Sequence, residues 1–283
     1  MILSRSIAIA ALILLYGVFF SAQEQRTLTS DATLDLALPG NFYRIAAGYT
    51  QQLAAEILFI QSSVFLGGVR PGTPPTSYGD ALGHNLDVMT SLYPSFIAPY
   101  YLCQGFLPPI SPAAAEKANT ILETGIKAYP EDLVLRFFHG ANFFLAMNKP
   151  LQGAQAFSEA ATLPHAPPLF SRLAALLSAQ GGDIAAGLLS LKAMEAAEED
   201  ETVKARYQQE ITVFEQALRV SHALQAYTSA YGTHPQRLEQ LVPEFLPTIP
   251  EIREHFIMVY DPPTLRLQRP ERTTKNAANS TDS

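Results

Sequence analysis

Apolar residues along this chain recur mostly at helical spacing, and prolines cut the pattern into segments. The first run, Ser6 to Phe20, carries no charge and follows the short basic start Met1 to Arg5. From Gln51 to Gly68, Leu53, Ile57, Ile60, Val64 and Phe65 share one helical face, which predicts a helix. A Gly/Pro-rich loop over 67–75 interrupts it, and a second helix is expected from about Tyr78 to Leu92, stopped by Pro94. A third begins near Phe96 and stops at Pro108-Pro109. A fourth starts at Pro112, a good first-turn residue, and runs to Ala128.

The punctuation is periodic. Tyr129-Pro130 is followed by Leu163-Pro164, 34 residues on (164 − 130), and Pro94 stands 36 before Pro130. Between these prolines, small residues fall where two helices would cross and bulky ones where they would stack. Gly140 and Phe143 mark the first helix of the unit 131–164, and Gly153, Phe157 and Ala160 mark its second. The preceding unit offers Tyr100, Ala118, Leu122 and Gly125. The following one offers Phe170, Ala174 and Leu177, then Ala186 and Ala193, with Asp183 a suitable N-cap after Gly181-Gly182.

Paired helices on a period near 34 residues resemble the tetratricopeptide repeat (TPR), over roughly residues 50–198 and without tryptophan at the aromatic position. The resemblance implies a mainly α fold: a TPR-like helix-pair solenoid capped by a long helix, with a small C-terminal β-hairpin. The cap is read from Val203, Tyr207, Ile211, Phe214, Leu218 and Leu224, which continue as one helix of about 30 residues ended by Gly232. A short helix from Pro235 carries Leu238 and Leu241. Two strands, Phe256 to Tyr260 and Leu265 to Gln268, flank the turn Asp261 to Thr264 and should pack on the long helix. The domain plan is therefore 1–22 signal anchor or signal peptide, 23–40 extended linker, 41–200 repeats, 201–270 cap and hairpin, and 271–283 a polar, disordered tail.

The order Tyr231-Gly232, Pro235, Leu238, Leu241-Val242, then Leu246-Pro247, Pro250 and a hairpin is similar to the globular part of type II secretion pseudopilins. It also looks like the tail of many bacterial membrane-anchored TPR proteins. In those, a span similar to Tyr43-Arg-Ile-Ala-Ala-Gly-Tyr49 and Ala54 to Ile60 precedes the repeats, and this chain resembles that group more closely.

With Ser21 and Ala22 the opening apolar run is 17 residues, at the short end of the roughly 17–25 needed to span a bilayer. Ala22 suits a cleavage site but Phe20 is too bulky two residues earlier, which favours an uncleaved anchor over a signal peptide. Arg5 on the short flank keeps the N-terminus in the cytoplasm and exports the rest. In a bacterium this means an inner-membrane, single-pass protein with its body in the periplasm.

Composition narrows the chemistry. Hydrophobic residues make up 48% of the chain and charged ones 16%, and with 19 Lys+Arg and a net charge of -7 no basic face for nucleic acid is available. Cys103 is the single cysteine, so neither an intrachain disulfide nor a cysteine-based metal site can form. No glycine-rich phosphate loop, His-Glu-x-x-His or Gly-x-Ser-x-Gly occurs. The six histidines, His84, His139, His165, His222, His234 and His255, are far apart in sequence, and His139 reads as a core residue at a helix crossing. The acidic run Glu198 to Glu201 reads as a solvated helix junction. Neither catalytic residues nor a cofactor are assigned.

The expected role is to bind a protein partner. The first helix of each pair would line a concave groove, carrying Val134, Phe137, Ala141, Phe144 and Leu145 in the best-phased unit and Tyr101 one unit earlier. Such a groove suits an amphipathic helix or hydrophobic peptide segment, or the protein's own N-terminal segment or C-terminal helix. A tethered envelope scaffold is the leading expectation. An accessory subunit of a pilus, secretion or transporter assembly, and more remotely an exported cell-wall enzyme, are the alternatives.

Overall fold

A computed structural model describes residues 34–252 and 255–270. The anchor run and the polar tail lie outside them. The described chain is mainly helical, with one small antiparallel sheet, and divides into two compact units, Met1–Ile110 and Ser111–Ser283.

In the first unit, α1 (Gly40–Ala47) leads through a turn at Gly48–Thr50 into α2 (Gln51–Gly68), followed by α3 (Gly79–Leu92) and α4 (Ala98–Phe106). The core is α3, from which Leu82, Leu86, Val88, Met89 and Leu92 are buried. For α2 the structure decides what spacing left open. The helix has the expected bounds; Ala55, Leu58 and Ser62 face inward, and Leu53, Ile57, Ile60 and Val64 point outward. Phe59 and Phe65 pack at the flanks, their rings 5.1 Å from Phe96 and 5.5 Å from Tyr78.

Ahead of α1, the extended residues Asp35–Ala37 are held to α3 by a side chain acting as a strand partner. The Asn85 amide donates to the Asp35 carbonyl (2.9 Å) and accepts from the Ala37 N–H (2.7 Å), and His84 Nε2 meets the Ala37 carbonyl at 2.9 Å.

The second unit holds α5 (Pro112–Ala128), α6 (Leu133–Leu145), α7 (Pro150–Ala161), α8 (Pro168–Gln180), α9 (Ile184–Ala197) and α10 (Glu201–Tyr231), each packing on the next. Local chemistry fixes their starts. Ser111 accepts from the Ala114 N–H, Asp132 from Val134 and Leu135, Asp183 from Ala186, and Asp200 from Thr202 and Val203. Gly232, at φ 71°, closes α10 in the left-handed conformation, as its position after Tyr231 led one to expect.

Glycine sets the close crossings. A Cβ on Gly140 would stand 2.9 Å from the Phe157 ring, and one on Gly153 would stand 3.2 Å from the Gly140 carbonyl. The same kind of contact recurs one helix pair later, where a Cβ on Gly187 would stand 2.6 Å from the Ala175 carbonyl. Around these crossings Ala141, Ala154, Phe157, Ala160, Phe170 and Leu177 form one core. A second core joins α8 and α9 to α10 and the C-terminal segment.

That segment contains a 3-10 turn, Leu238–Leu241, with Leu241 buried, and the hairpin β1 (Ile257–Asp261) and β2 (Thr264–Gln268). Its turn is the one read from the sequence, Asp261 to Thr264, with these two residues paired and Pro262-Pro263 between them. Leu265 and Leu267 alternate inward, and the hairpin packs on α8 as well as on the long helix.

Candidate functional site

The candidate groove residues of the second unit lie on α6, a helix apolar over most of its circumference: Leu133, Val134, Leu135, Phe137, Phe138 and Phe143 stand in eleven positions of it. Which side is buried is decided by Gly140, which admits the Phe157 ring. That contact places Leu135, Gly140, Ala141 and Asn142 inside. Ala141, expected on the groove, is therefore a correction: it is 8% exposed and belongs to the core with Phe157 and Phe170. Phe144 is half-buried against the same core.

Val134, Phe137 and Leu145 are the members that stay open, Leu145 at 75% exposure. Phe137 is braced from behind, its ring 5.8 Å from that of Phe157 and 6.4 Å from that of Phe170. It is an aromatic platform with a fixed orientation rather than a loose surface side chain. Tyr101, on α4 of the first unit, is exposed.

The second unit also has a cleft of about 410 Å³ lined mainly by small side chains, among them Ala161, Ser171, Ala174 and Ala193, with Met194 and Tyr207 as its large members. Sequence reasoning assigned Ala174 and Ala193 to helix crossings and did not see that their neighbours open a depression. The signal was present in the alternation of Ala and Ser on α8 and α9, where removing side-chain bulk from facing helices leaves space for a partner's side chain.

A third apolar surface, in the first unit, is the outward row of α2. Leu53, Ile57, Ile60 and Val64 are all exposed, Val64 at 70%, and Phe42, Ile45 and Tyr49 extend the exposed apolar surface along α1 and its turn. Spacing placed this row on one face and did not say whether that face is buried. α2 is apolar on both sides, so spacing could not distinguish them.

The titratable groups make a weaker case. His139 Nε2 lies 3.6 Å from the Glu123 carboxylate without forming a hydrogen bond, and Phe143 packs edge-on to the imidazole at 5.0 Å. Burial pushes its pKa below the ordinary value despite the opposing pull of Glu123. A neutral ring closed in by an aromatic neighbour fits the core role read for it. Beside it the buried Asn119 donates to the His139 carbonyl and accepts from the Asn142 amide (2.9 Å), a polar pair that the sequence did not reveal. The acidic run sits at the α9–α10 junction, exposed, with Asp200 spent on the cap, whose two N–H groups lower its pKa. Among the described residues no three His, Cys, Asp or Glu side chains gather as they would around a metal.

One buried ionic cluster ties the C-terminal strand down. Glu210, 6% exposed, accepts from Arg172 at 2.6 Å and from Arg269 at 3.3 Å. Among the described residues no helix is long and apolar enough to cross a membrane. No protein family, curated protein or solved structure matches the chain.

Proposed function

We propose that this protein is a membrane-anchored, periplasm-facing scaffold that holds a protein partner on TPR-like helix pairs and has no catalytic role. The observation that carries the reading is the open row Val134, Phe137 and Leu145 on α6, set on a crossing where the Phe157 ring packs directly over Gly140. An apolar row on a rigid backing fits the apolar face of a helix or hydrophobic peptide, because little side-chain freedom is lost on binding. Repeat character is supported by the recurrence of the crossing contact, Gly153 over Gly140 and Gly187 over Ala175, positions 34 and 35 residues apart (187 − 153, 175 − 140). The tether is supported by the uncharged run Ser6–Ala22 behind a basic start.

The test is a photo-crosslinking amino acid at Leu145 of the full chain, activated in native membranes and read by mass spectrometry. A discrete partner protein is expected, and its yield should fall when Val134 and Phe137 are both changed to Glu. Crosslinks only to the chain's own N-terminal or C-terminal segment, or yields indifferent to the Glu changes, would reject the scaffold reading.

A further inference from the structure

We infer that the outward face of α2, continued by α1, rests on the lipid bilayer itself, so that the protein meets the membrane through a second, non-spanning contact. The inference rests on the anchor reading above for the nearness of the bilayer and on the following geometry for the contact.

Leu53, Ile57, Ile60 and Val64 advance by four, three and four residues, which keeps them within one narrow sector of the helix. They form an apolar ridge about 17 Å long. The opposite side of α2 is occupied, since Ala55, Leu58 and Ser62 are buried against the unit. The ridge therefore cannot turn inward without undoing the core. Ile45 and Tyr49 extend it, both strongly exposed.

Charge argues for lipid over a protein. From Leu36 to Gly68 the only ionised side chains are Arg44 and Glu56, too few to set register or select a partner by complementarity. The polar residues beside the ridge are Gln52, Glu56 and Gln61, all exposed. With Tyr49 the two glutamines suit the depth at which headgroups and glycerol esters supply hydrogen bonds to amides and aromatic hydroxyls, and Glu56 keeps its carboxylate in the hydrated headgroup layer.

Chain length makes the contact hard to avoid. The uncharged run ends at Ala22, and Asp35 is already fastened to α3 by Asn85. The 12 residues between, 13 Cα steps from Ala22 to Asp35 (35 − 22), reach at most about 45 Å when fully extended. A surface held that close to a bilayer experiences it at an effective concentration of about millimolar, so even a weak interfacial affinity keeps it occupied.

The experiment uses the full chain in phosphatidylcholine/phosphatidylglycerol vesicles with Ile60→Cys carrying an environment-sensitive fluorophore. Cys103 is buried, and unsubstituted protein gives the background labelling. Expected are a blue-shifted emission and quenching of at least about twofold by brominated lipids, while the same label at Leu189→Cys on α9, also exposed, stays in water. A label at 60 that remains in water while the chain resists carbonate extraction overturns the inference and leaves the anchor standing. Lipid quenching in a chain that carbonate extracts overturns the anchor and leaves the bilayer contact standing. A chain that stays in the supernatant overturns both. Disulfide-linked dimers through Ile60→Cys, formed in vesicles in place of quenching, assign the ridge to a second copy and overturn the inference.

Discussion

Gly187 is the tightest of the helix crossings: its missing side chain lets α9 approach the Ala175 carbonyl and the Phe214 ring together. A backbone carbonyl cannot rotate away as a ring can. Gly187→Ala is therefore expected to destabilise by about 2 kcal/mol in urea unfolding, more than Gly140→Ala, whose neighbour is the movable Phe157 ring. Gly67, in α2, has no atom within 4 Å of a new Cβ, and there Ala should stabilise by up to about 1 kcal/mol through helix propensity alone. His139 supplies the pH dependence. Its folded pKa lies below the ordinary 6.5, so the neutral ring's contribution is complete above that value and is lost as pH falls through the folded pKa. Thermal melts from pH 7 to pH 5 should fall more steeply for the native chain than for His139→Leu. Of these residues the sequence exposed Gly140, through its phase relative to Pro130, but it marked Ala186 where Gly187 makes the close contact. It did not expose the Asn119–Asn142 pair, because two asparagines 23 residues apart signal nothing until their helices are packed.

Helix ends were easier to read than helix faces. The bounds Gln51–Gly68 and Pro112–Ala128 follow from proline, glycine and capping residues, which act within a turn of their own position. Asp132→Ala removes an acceptor shared by the Val134 and Leu135 N–H groups and should destabilise by about 1 kcal/mol, measurable by chemical denaturation. Facing is decided between elements. α2 and α6 are apolar on more than one side, so the neighbour each packs on, α3 for α2 and Phe157 for α6, determines which row is left in the open. This is why Ala141 was expected on the groove and is buried, and why spacing did not show that Leu53 and Ile57 are exposed.

At the scale of the molecule, the second unit depends on contacts far apart in sequence. Glu210 draws Arg172 from α8 and Arg269 from the end of the hairpin onto one carboxylate oxygen. Removing a buried carboxylate strands its cations, so Glu210→Ala should destabilise by about 3 kcal/mol. Hydrogen exchange should then rise first in β2. Arg269→Ala should lose under about 1 kcal/mol, its guanidinium being half in solvent. The division at Ile110 was not drawn from the sequence, because proline spacing continues across it unchanged.

The Asn85 clamp gives this architecture a mechanical character. Three hydrogen bonds, with bonds from one amide on two sides of a dipeptide step, couple Asp35–Ala37 to the middle of α3. If the N-terminus is fixed in a bilayer, tension from a partner pulling on the body passes into the centre of the first unit's core and loads these bonds together. In that case Asn85→Ala would release Asp35–Ala37 from α3 and let a given pull displace the body farther from the membrane.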